Sequence, residues 1–129
     1  MSEEEQIGKL LDGKYEVLQQ LGTGGMGEIY LVRHLHLEQK RVVKILRRDL
    51  ASDEAARRRF LREAQLATQI KHPNVAILYD FAQLPNDSFY MVSEFIDGME
   101  IGQMLEKEGP LPLQQALLLG IQALRGLEA

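Results

Sequence analysis

The sequence feature that most limits how this chain can fold is a glycine-rich run between two strand-like segments. The run has the spacing G-x-G-x-x-G and contains Gly22, Gly24 and Gly27. The flanking residues, 15–18 and 29–32, are rich in β-branched and aromatic side chains, which favour strands. The run therefore predicts a hairpin in which a glycine turn joins two strands. Because glycine has no Cβ, this backbone can bend tightly and approach phosphate groups closely.

The glycine spacing alone leaves more than one interpretation open, because it occurs in several nucleotide-binding folds and in ordinary hairpins. A dinucleotide-binding unit would continue from the glycines into a helix, whereas this chain continues into a strand-like segment. A Walker loop would require Gly-Lys-Ser or Gly-Lys-Thr, and the sequence contains neither. The hairpin is therefore either a phosphate-binding loop of another type or a glycine-rich turn without a ligand.

Hydrophobic periodicity predicts five strands and one helix before the pattern changes. The helix is expected to begin after Ser52 or Asp53, whose side-chain oxygen would cap it. It is expected to end near Lys71, because Pro73 disfavours helical geometry at the residue before it. Five strands and one helix form a small α+β unit with an antiparallel sheet. The predicted strands are Tyr15–Leu21, Gly27–His34, Arg41–Leu46, Val75–Phe81 and Phe89–Glu94.

A break at Asp97-Gly98 separates this sheet from a helical segment. A short helix is predicted for Ile101–Lys107 and a longer helix from about Leu113 to the end of the chain. The resulting division has three parts. Residues 1–12 are an acidic leader that we expect to be disordered. Residues 13–97 form a sheet-containing unit, and residues 98–129 form a helical segment.

Composition excludes several function classes. The formal net charge of −4 argues against a broad nucleic-acid-binding face, so no nucleic-acid partner is expected. The chain has no cysteine, which excludes disulfides and cysteine metal sites. His34, His36 and His72 do not form a convincing ligand set, so no metal site is expected. No apolar run reaches the roughly 18 residues that cross a bilayer. These features fit a cytoplasmic location, with a membrane anchor beyond residue 129 left open.

Lys44 is the exception in an otherwise apolar strand. It lies among Val42, Val43 and Ile45, 22 residues after the first glycine of the run. A lysine in such a strand is expected to be partly buried, and a buried ammonium group requires an anionic partner. The alternative is a lysine that extends from the end of the strand into solvent.

Five stretches occur together in an order and at spacings that are typical of one family: 21–30 (LGTGGMGEIY), 42–46 (VVKIL), 60–65 (FLREAQ), 72–75 (HPNV) and 91–98 (MVSEFIDG). Together they resemble the N-terminal lobe of a protein kinase, closest in style to bacterial serine/threonine kinases of eukaryotic type. The resemblance covers roughly residues 13–129. It implies a kinase N-lobe, with a five-stranded antiparallel sheet and one helix over 13–97, followed by the first helices of the C-lobe.

The same resemblance implies a phosphate-binding half of an ATP site. The glycine run would cover the ATP phosphates with its backbone N–H groups, through Gly22, Thr23, Gly24, Gly25 and Gly27. Lys44 would pair with the α- and β-phosphates. Glu63 occupies the position of the family's helix glutamate, which pairs with that lysine. An exposed glutamate on an arginine-rich helix is the alternative for Glu63.

An adenine-binding half is implied by further matching positions. Ile29 and Val42 would contact the adenine ring, although the family usually has alanine where this chain has Val42. Ser93 would guard the back of the pocket, and its small size would leave space behind the adenine. Glu94 and Ile96 would bind adenine through backbone groups, and Glu100 would meet the ribose hydroxyls unless it is an ordinary exposed glutamate.

The resemblance also indicates what the 129 residues do not contain. The family's His-Arg-Asp catalytic loop, its following Asn and its Asp-Phe-Gly motif are absent. These groups accept the substrate proton and hold Mg²⁺ during phosphoryl transfer. The chain is therefore expected to be the ATP-binding part of a serine/threonine kinase that transfers the γ-phosphoryl group to protein hydroxyls. No catalytic residue is present, and Mg²⁺ and the protein substrate would bind only to the full-length parent. The chain alone is expected to be inactive, and the alternative is a non-catalytic kinase-like module that binds a nucleotide or a partner.

The last predicted helix has more large apolar side chains than a free surface helix would carry. Burying each contributes about 1.5–3 kcal/mol, so they require a partner surface. We therefore expect self-association or fraying at this helix when the chain is alone. The apolar residues are Leu113, Leu117, Leu118, Ile121, Leu124 and Leu127.

Overall fold

Six strands form one antiparallel sheet in the computed structural model, which describes residues 8–23, 27–46, 50, 52–84 and 88–129. Their order across the sheet is β1-β2-β3-β4-β6-β5. Three helices are assigned in the same residues. The strands are β1 Leu10–Leu11, β2 Tyr15–Thr23, β3 Gly27–His34, β4 Lys40–Leu46, β5 Leu78–Gln83 and β6 Phe89–Glu94; the helices are α1 Glu54–Thr68, α2 Ile101–Glu108 and α3 Leu113–Leu127.

The predicted α+β sheet with one helix is confirmed, but the strand count is six and not five. The additional strand, β1, lies inside the predicted 1–12 leader, so the end of that leader is ordered. The Gly8 N–H donates to the Val17 carbonyl at 2.8 Å, and the Val17 N–H donates to the Lys9 carbonyl at 3.0 Å. A two-residue strand has no periodicity by which a sequence pattern would reveal it. Residues 1–7 of the leader lie outside the described residues.

Two of the predicted boundaries differ from the structure by three residues. The strand expected at Val75–Phe81 begins at Leu78, because the Val75 N–H donates to the His72 carbonyl in a turn at 3.1 Å. Helix α1 ends at Thr68, three residues before Lys71, and the next residue donates its N–H to the Leu66 carbonyl in a tightened final turn.

The start of α1 confirms the expected cap. The Asp53 carboxylate accepts hydrogen bonds from the Ala55 N–H at 2.9 Å and the Ala56 N–H at 3.4 Å. These are backbone groups that the first turn of a helix leaves without a helical partner. The capped helix turns Phe60 and Ala64 towards the sheet, where both are buried.

The two faces of the sheet contact different parts of the molecule, because side chains alternate along a strand. One face carries a cluster of seven buried residues, and helix α1 packs on the other. On the helix side, Leu46 and Met91 form a second buried cluster with Phe60 and Ala64. The first cluster consists of Tyr15, Val17, Tyr30, Val32, Val43, Tyr90 and Val92.

The chain divides into two compact units. One comprises the residues up to Gln69 together with Ile77–Phe95, and the other comprises Ile70–Ala76 and Ile96–Ala129. The division after Phe95 lies two residues before the predicted break at Asp97-Gly98. No helix in the described part of the chain is long and apolar enough to cross a membrane.

In the second unit, α3 is attached near its C-terminal end to the turn that follows α1. The Asn74 side-chain amide donates to the Gln122 carbonyl at 2.9 Å. A methyl group on Gly126 would lie 3.2 Å from both the Asn74 carbonyl oxygen and Val75 Cγ2. Glycine at this position therefore allows the helix to approach the turn closely.

In the first unit, a hydrogen bond joins the core of the sheet to the turn after β1. Tyr90 is fully buried, and its hydroxyl donates to Asp12 Oδ2 at 2.6 Å. Asp12 and Gly13 both have positive φ, of 54° and 68°, which forms the turn that brings the carboxylate to the hydroxyl. Burial, the hydrogen bond to Asp12 and its negative charge raise the pKa of Tyr90 well above 10. Burial and the charge of Asp80 also raise the pKa of Tyr15.

These raised pKa values predict how stability depends on pH. Above about pH 10, tyrosines of the unfolded chain lose protons that the folded chain retains, so the unfolded state binds fewer protons and stability falls as pH rises. The contribution of both tyrosines is fully present below pH 10. Tyr90→Phe should lower the free energy of unfolding at pH 7 by about 1–2 kcal/mol and should weaken its decrease between pH 9 and 11. Urea unfolding across this range measures both effects. If the free energy of unfolding fell equally at alkaline pH in the Tyr90→Phe variant and in the unmodified chain, the raised pKa of Tyr90 would be contradicted.

Candidate functional site

The pairing of β2, β3, β4 and β6 brings most of the sheet residues predicted for the site to one face. Ile29 pairs with both Gly22 and Lys44 on neighbouring strands. Val42 pairs with Ser93 in the same way. Residues directly opposite each other in an antiparallel pair project to the same side of the sheet. This is the face on which α1 packs, because Leu46 follows Val42 and Lys44 in the alternation and belongs to the helix-side cluster.

Lys44 contacts the helix through Glu63. The Lys44 Nζ lies 3.5 Å from both Glu63 Oε1 and Glu63 Oε2. These distances exceed the roughly 2.7–2.9 Å of a strong charge-assisted hydrogen bond. The Lys44 side chain is 23% exposed and that of Glu63 is 47% exposed. The expected partial burial of Lys44 is confirmed, and the loose geometry leaves its ammonium group able to bind a second anion.

The two described glycines of the run have different surroundings. A Cβ on Gly27 would clash with the Ile45 carbonyl oxygen, so close pairing of β3 with β4 requires glycine there. Among the described residues, a Cβ on Gly22 would meet no atom within 4 Å. Packing in the described part of the chain therefore requires glycine at 27 but not at 22. Thr23 is exposed at the end of β2, and the predicted residues Gly24 and Gly25 lie outside the described residues.

Glu94 lies at the end of β6, and both its carboxylate and its N–H form hydrogen bonds with the backbone of Ile77. Its N–H donates to the Ile77 carbonyl at 2.8 Å, and the Ile77 N–H donates to Glu94 Oε2 at 3.1 Å. The carboxylate thus accepts the bond that a strand partner would otherwise give to the Glu94 carbonyl. Neither of these two bonds uses that carbonyl.

The remaining predicted site residues belong to the second unit. The Ile96 carbonyl accepts from the Gly98 N–H at 3.0 Å, a bond that does not use the N–H of Ile96. Ile96 is 63% exposed. Glu100 is the N-cap residue of α2, and its N–H donates to Gln103 Oε1 at 3.3 Å.

Met91 is a residue of this face that the sequence interpretation missed. It pairs with Lys44 across β4 and β6, is 7% exposed, and packs in the cluster with Phe60. Strict alternation along β6 was the available signal, because it places Met91 on the same side as Ser93. In the described residues, no group of histidine, aspartate and glutamate side chains is arranged to hold a metal ion.

Comparison with known proteins identifies the relatives of this chain. The family model of the protein kinase domain matches residues 15–129. Serine/threonine-protein kinase PrkC of Bacillus subtilis is 40% identical over 111 residues, which are 86% of this chain and 17% of the relative. Serine/threonine-protein kinase PknB of Mycobacterium leprae is 37% identical over 120 residues, which are 91% of this chain and 19% of the relative.

A similarity to solved structures supports the same fold. The crystal structure of the Mycobacterium tuberculosis PknI kinase domain aligns with a TM-score of 0.72 and 27% identity. The alignment covers 95% of this chain and 48% of that structure. The chain thus spans less than a fifth of the length of the two curated relatives and about half of the solved kinase domain.

The contrast between the two glycines yields a testable difference. Gly27→Ala should lower the free energy of unfolding by about 1–3 kcal/mol, because the added methyl group would press on the backbone of β4. Gly22→Ala should change it by less than about 0.5 kcal/mol, since the methyl group enters open space. Urea unfolding of both variants checks this. Equal losses would show that both glycines are required by packing.

Proposed function

Because the chain belongs to the protein kinase domain family, we propose that it forms the ATP-binding part of a serine/threonine protein kinase. The observation that carries this proposal is the arrangement on the helix side of the sheet. There, Lys44 lies between the open backbone at Gly22 and the carboxylate of Glu63, with Ile29 paired beside it.

The phosphate-binding role is proposed for Gly22 and Lys44. A half-buried ammonium group held at 3.5 Å from a carboxylate can bind an anionic phosphate without losing its first partner. Glu63 would then orient Lys44, because buried or half-buried ion pairs contribute little to stability but fix the position of a charge. Thr23, Gly24, Gly25 and Gly27 stay predictions for the same loop.

The adenine-binding role is proposed for Ile29, Val42 and Ser93 in the first unit, with backbone groups of Glu94 and Ile96. Adenine offers a hydrogen-bond donor beside an acceptor. In the first unit the Glu94 carbonyl would supply the acceptor, because the Glu94 N–H is already bonded to the Ile77 carbonyl. The Ile96 N–H stays a prediction for the donor. Contact of Glu100 with the ribose stays a prediction.

The complete reaction is proposed for the full-length parent. There, the γ-phosphoryl group of ATP would pass to a protein hydroxyl, with Mg²⁺ neutralising the phosphate charge. The 129 residues contain neither a His-Arg-Asp nor an Asp-Phe-Gly sequence. We therefore propose that this chain alone binds ATP without transferring its phosphoryl group. A cytoplasmic location is proposed because ATP is the co-substrate and the chain has no cysteine.

ATP titration of single variants tests the proposal. Lys44→Ala should weaken ATP binding about tenfold or more, because it removes a charge-assisted contact with phosphate. Gly22→Ala should also weaken binding while leaving the fold intact. Lys40→Ala is the matched control, since Lys40 is an exposed lysine at the start of the same strand. Isothermal titration calorimetry measures all three.

Two results would contradict this function. One is the absence of ATP binding by the unmodified chain, which would leave the non-catalytic partner-binding alternative. The other is equal affinity of the Lys44→Ala and Lys40→Ala variants, which would remove Lys44 from the phosphate site. Transfer of labelled phosphate to a protein substrate by the chain alone would contradict the proposed inactivity.

We also propose that α3 associates with another polypeptide surface, and in isolation with a second copy of the chain. Its large apolar side chains are 47–80% exposed within the described structure. Exposed apolar surface of this extent along one helix favours association. The residues are Leu113, Leu117, Leu118, Ile121, Leu124 and Leu127.

Sedimentation velocity tests self-association. The unmodified chain should form dimers or larger species, and the double variant Leu117→Glu with Leu124→Glu should shift it towards the monomer. The double variant Gln114→Glu with Gln115→Glu adds the same charge to the same helix and should leave association unchanged. If the unmodified 129-residue chain were monomeric and its α3 ordered, the proposal would be refuted.

A further inference from the structure

Glu94 lies opposite Ile77 at the point where the pairing of β5 with β6 ends. Leu78 pairs with Ser93, and continuing that register by one residue would place Ile77 opposite Glu94. Two residues opposite each other in a hydrogen-bonded antiparallel pair exchange two backbone bonds, in which each N–H donates to the other carbonyl. The use of the Glu94 carbonyl therefore depends on whether this exchange is complete.

One of the two bonds between these residues has the form of a strand pair, and the other does not. The Glu94 N–H donates to the Ile77 carbonyl at 2.8 Å, as in a continued ladder. The Ile77 N–H donates instead to Glu94 Oε2 at 3.1 Å. The side-chain carboxylate thus occupies the acceptor position that the Glu94 carbonyl would fill if the ladder continued.

The nearest cationic residue in the register does not determine the direction of the Glu94 carboxylate. Arg41 pairs with Glu94 across β4 and β6, and opposite charges in such positions attract each other. The Arg41 guanidinium, however, donates to Gln39 Oε1 at 2.6 Å and lies 4.1 Å from the centre of the Tyr79 ring. Within the described residues, the Glu94 carboxylate therefore meets the backbone N–H of Ile77 and not the guanidinium.

We propose that the Glu94 side chain is a positioning residue for adenine, because it accepts the Ile77 N–H bond and so keeps the Glu94 carbonyl available to the 6-amino group of the base. The inference rests on the function proposed above, in which Glu94 acts through its backbone alone. The carboxylate does not touch the nucleotide and acts through the carbonyl of its own residue. A solvent-exposed bond of 3.1 Å contributes little to stability, so its effect is on the position of the acceptor.

Two substitutions of Glu94 separate the acceptor oxygen from the charge. In Glu94→Ala, the next acceptor in register for the Ile77 N–H is the backbone carbonyl of position 94, so the ladder should extend by one residue and withdraw that carbonyl from adenine. In Glu94→Gln, the side chain keeps an acceptor oxygen but loses the charge. Glu94→Gln should therefore rescue the arrangement that Glu94→Ala loses.

Binding of ATP and of inosine triphosphate by the full chain tests this role. Inosine has an oxygen where adenine has the 6-amino group, so inosine triphosphate offers no donor to the carbonyl at that position. Glu94→Ala should weaken ATP binding about three- to tenfold, the contribution of one hydrogen bond, and should leave binding of inosine triphosphate unchanged. Glu94→Gln should retain the ATP affinity of the unmodified chain. Isothermal titration calorimetry measures the affinities of both nucleotides.

Crystal structures without nucleotide test the exchange of acceptors directly. In the unmodified chain, the Ile77 nitrogen should lie within about 3.2 Å of the Glu94 carboxylate. In Glu94→Ala, it should lie within the same distance of the backbone carbonyl oxygen of position 94. An Ile77 N–H that bonds the Glu94 carbonyl already in the unmodified chain would overturn the inference.

The binding measurements distinguish this inference from the function on which it rests. Equal ATP affinity of Glu94→Ala and the unmodified chain would refute the positioning role alone. An equal loss of ATP and inosine triphosphate binding in Glu94→Ala would indicate a structural role and would also refute it. If Glu94→Gln lost as much ATP affinity as Glu94→Ala, the charge and not the acceptor would be responsible. An unmodified chain that binds no ATP would instead refute the proposed function.

Discussion

The register of β4 between β3 and β6 is the constraint on which the rest of the first unit depends. Val43 is completely buried on one face, and Leu46 is buried on the other. A slip of one residue would exchange the faces of the whole strand, because side chains alternate with a period of two. Lys44 would then project away from Glu63 and into the cluster of Val43 and Tyr90, where burying its charge would carry a large desolvation cost. The apolar packing of β4 therefore places the lysine beside Glu63.

The energetics of the Lys44–Glu63 pair indicate what it contributes. A pair at 3.5 Å with one side chain nearly half exposed adds little to stability, since solvent screens the attraction. The neighbouring contacts of Phe60 and Met91 are buried and account for the packing of α1 on the sheet. Helix and sheet are thus held together by apolar contacts, and the charges are free to respond to an anionic ligand. This division is consistent with the reversible nucleotide binding proposed above.

The sequence allowed much of the fold to be predicted, because its strong signals are local. Asp53 followed by an apolar stripe defined the start of α1, and alternation defined β3 and β6. Contacts between distant segments were not predictable. The β1 strand exists because Gly8 and Lys9 bond to Val17, and the end of α1 depends on a turn bond to Leu66. In the site, spacing suggested equal roles for Gly22 and Gly27, but the close pairing of β3 with β4 at Ile45 requires only the second to be glycine.

The close approach at Gly126 gives α3 a mechanical property. The helix contacts the turn at Asn74 near one end, while Leu113 lies about 20 Å away along the axis, at about 1.5 Å per residue. The hydrogen bond from Asn74 to the Gln122 carbonyl and the backbone contact at Gly126 attach α3 near this end, so a small tilt of the helix is amplified at its far end. A tilt of about 5° there would displace the far end of the helix by roughly 2 Å. A molecule that binds the exposed leucines of α3 would therefore transmit force along the rigid helix to the turn after α1.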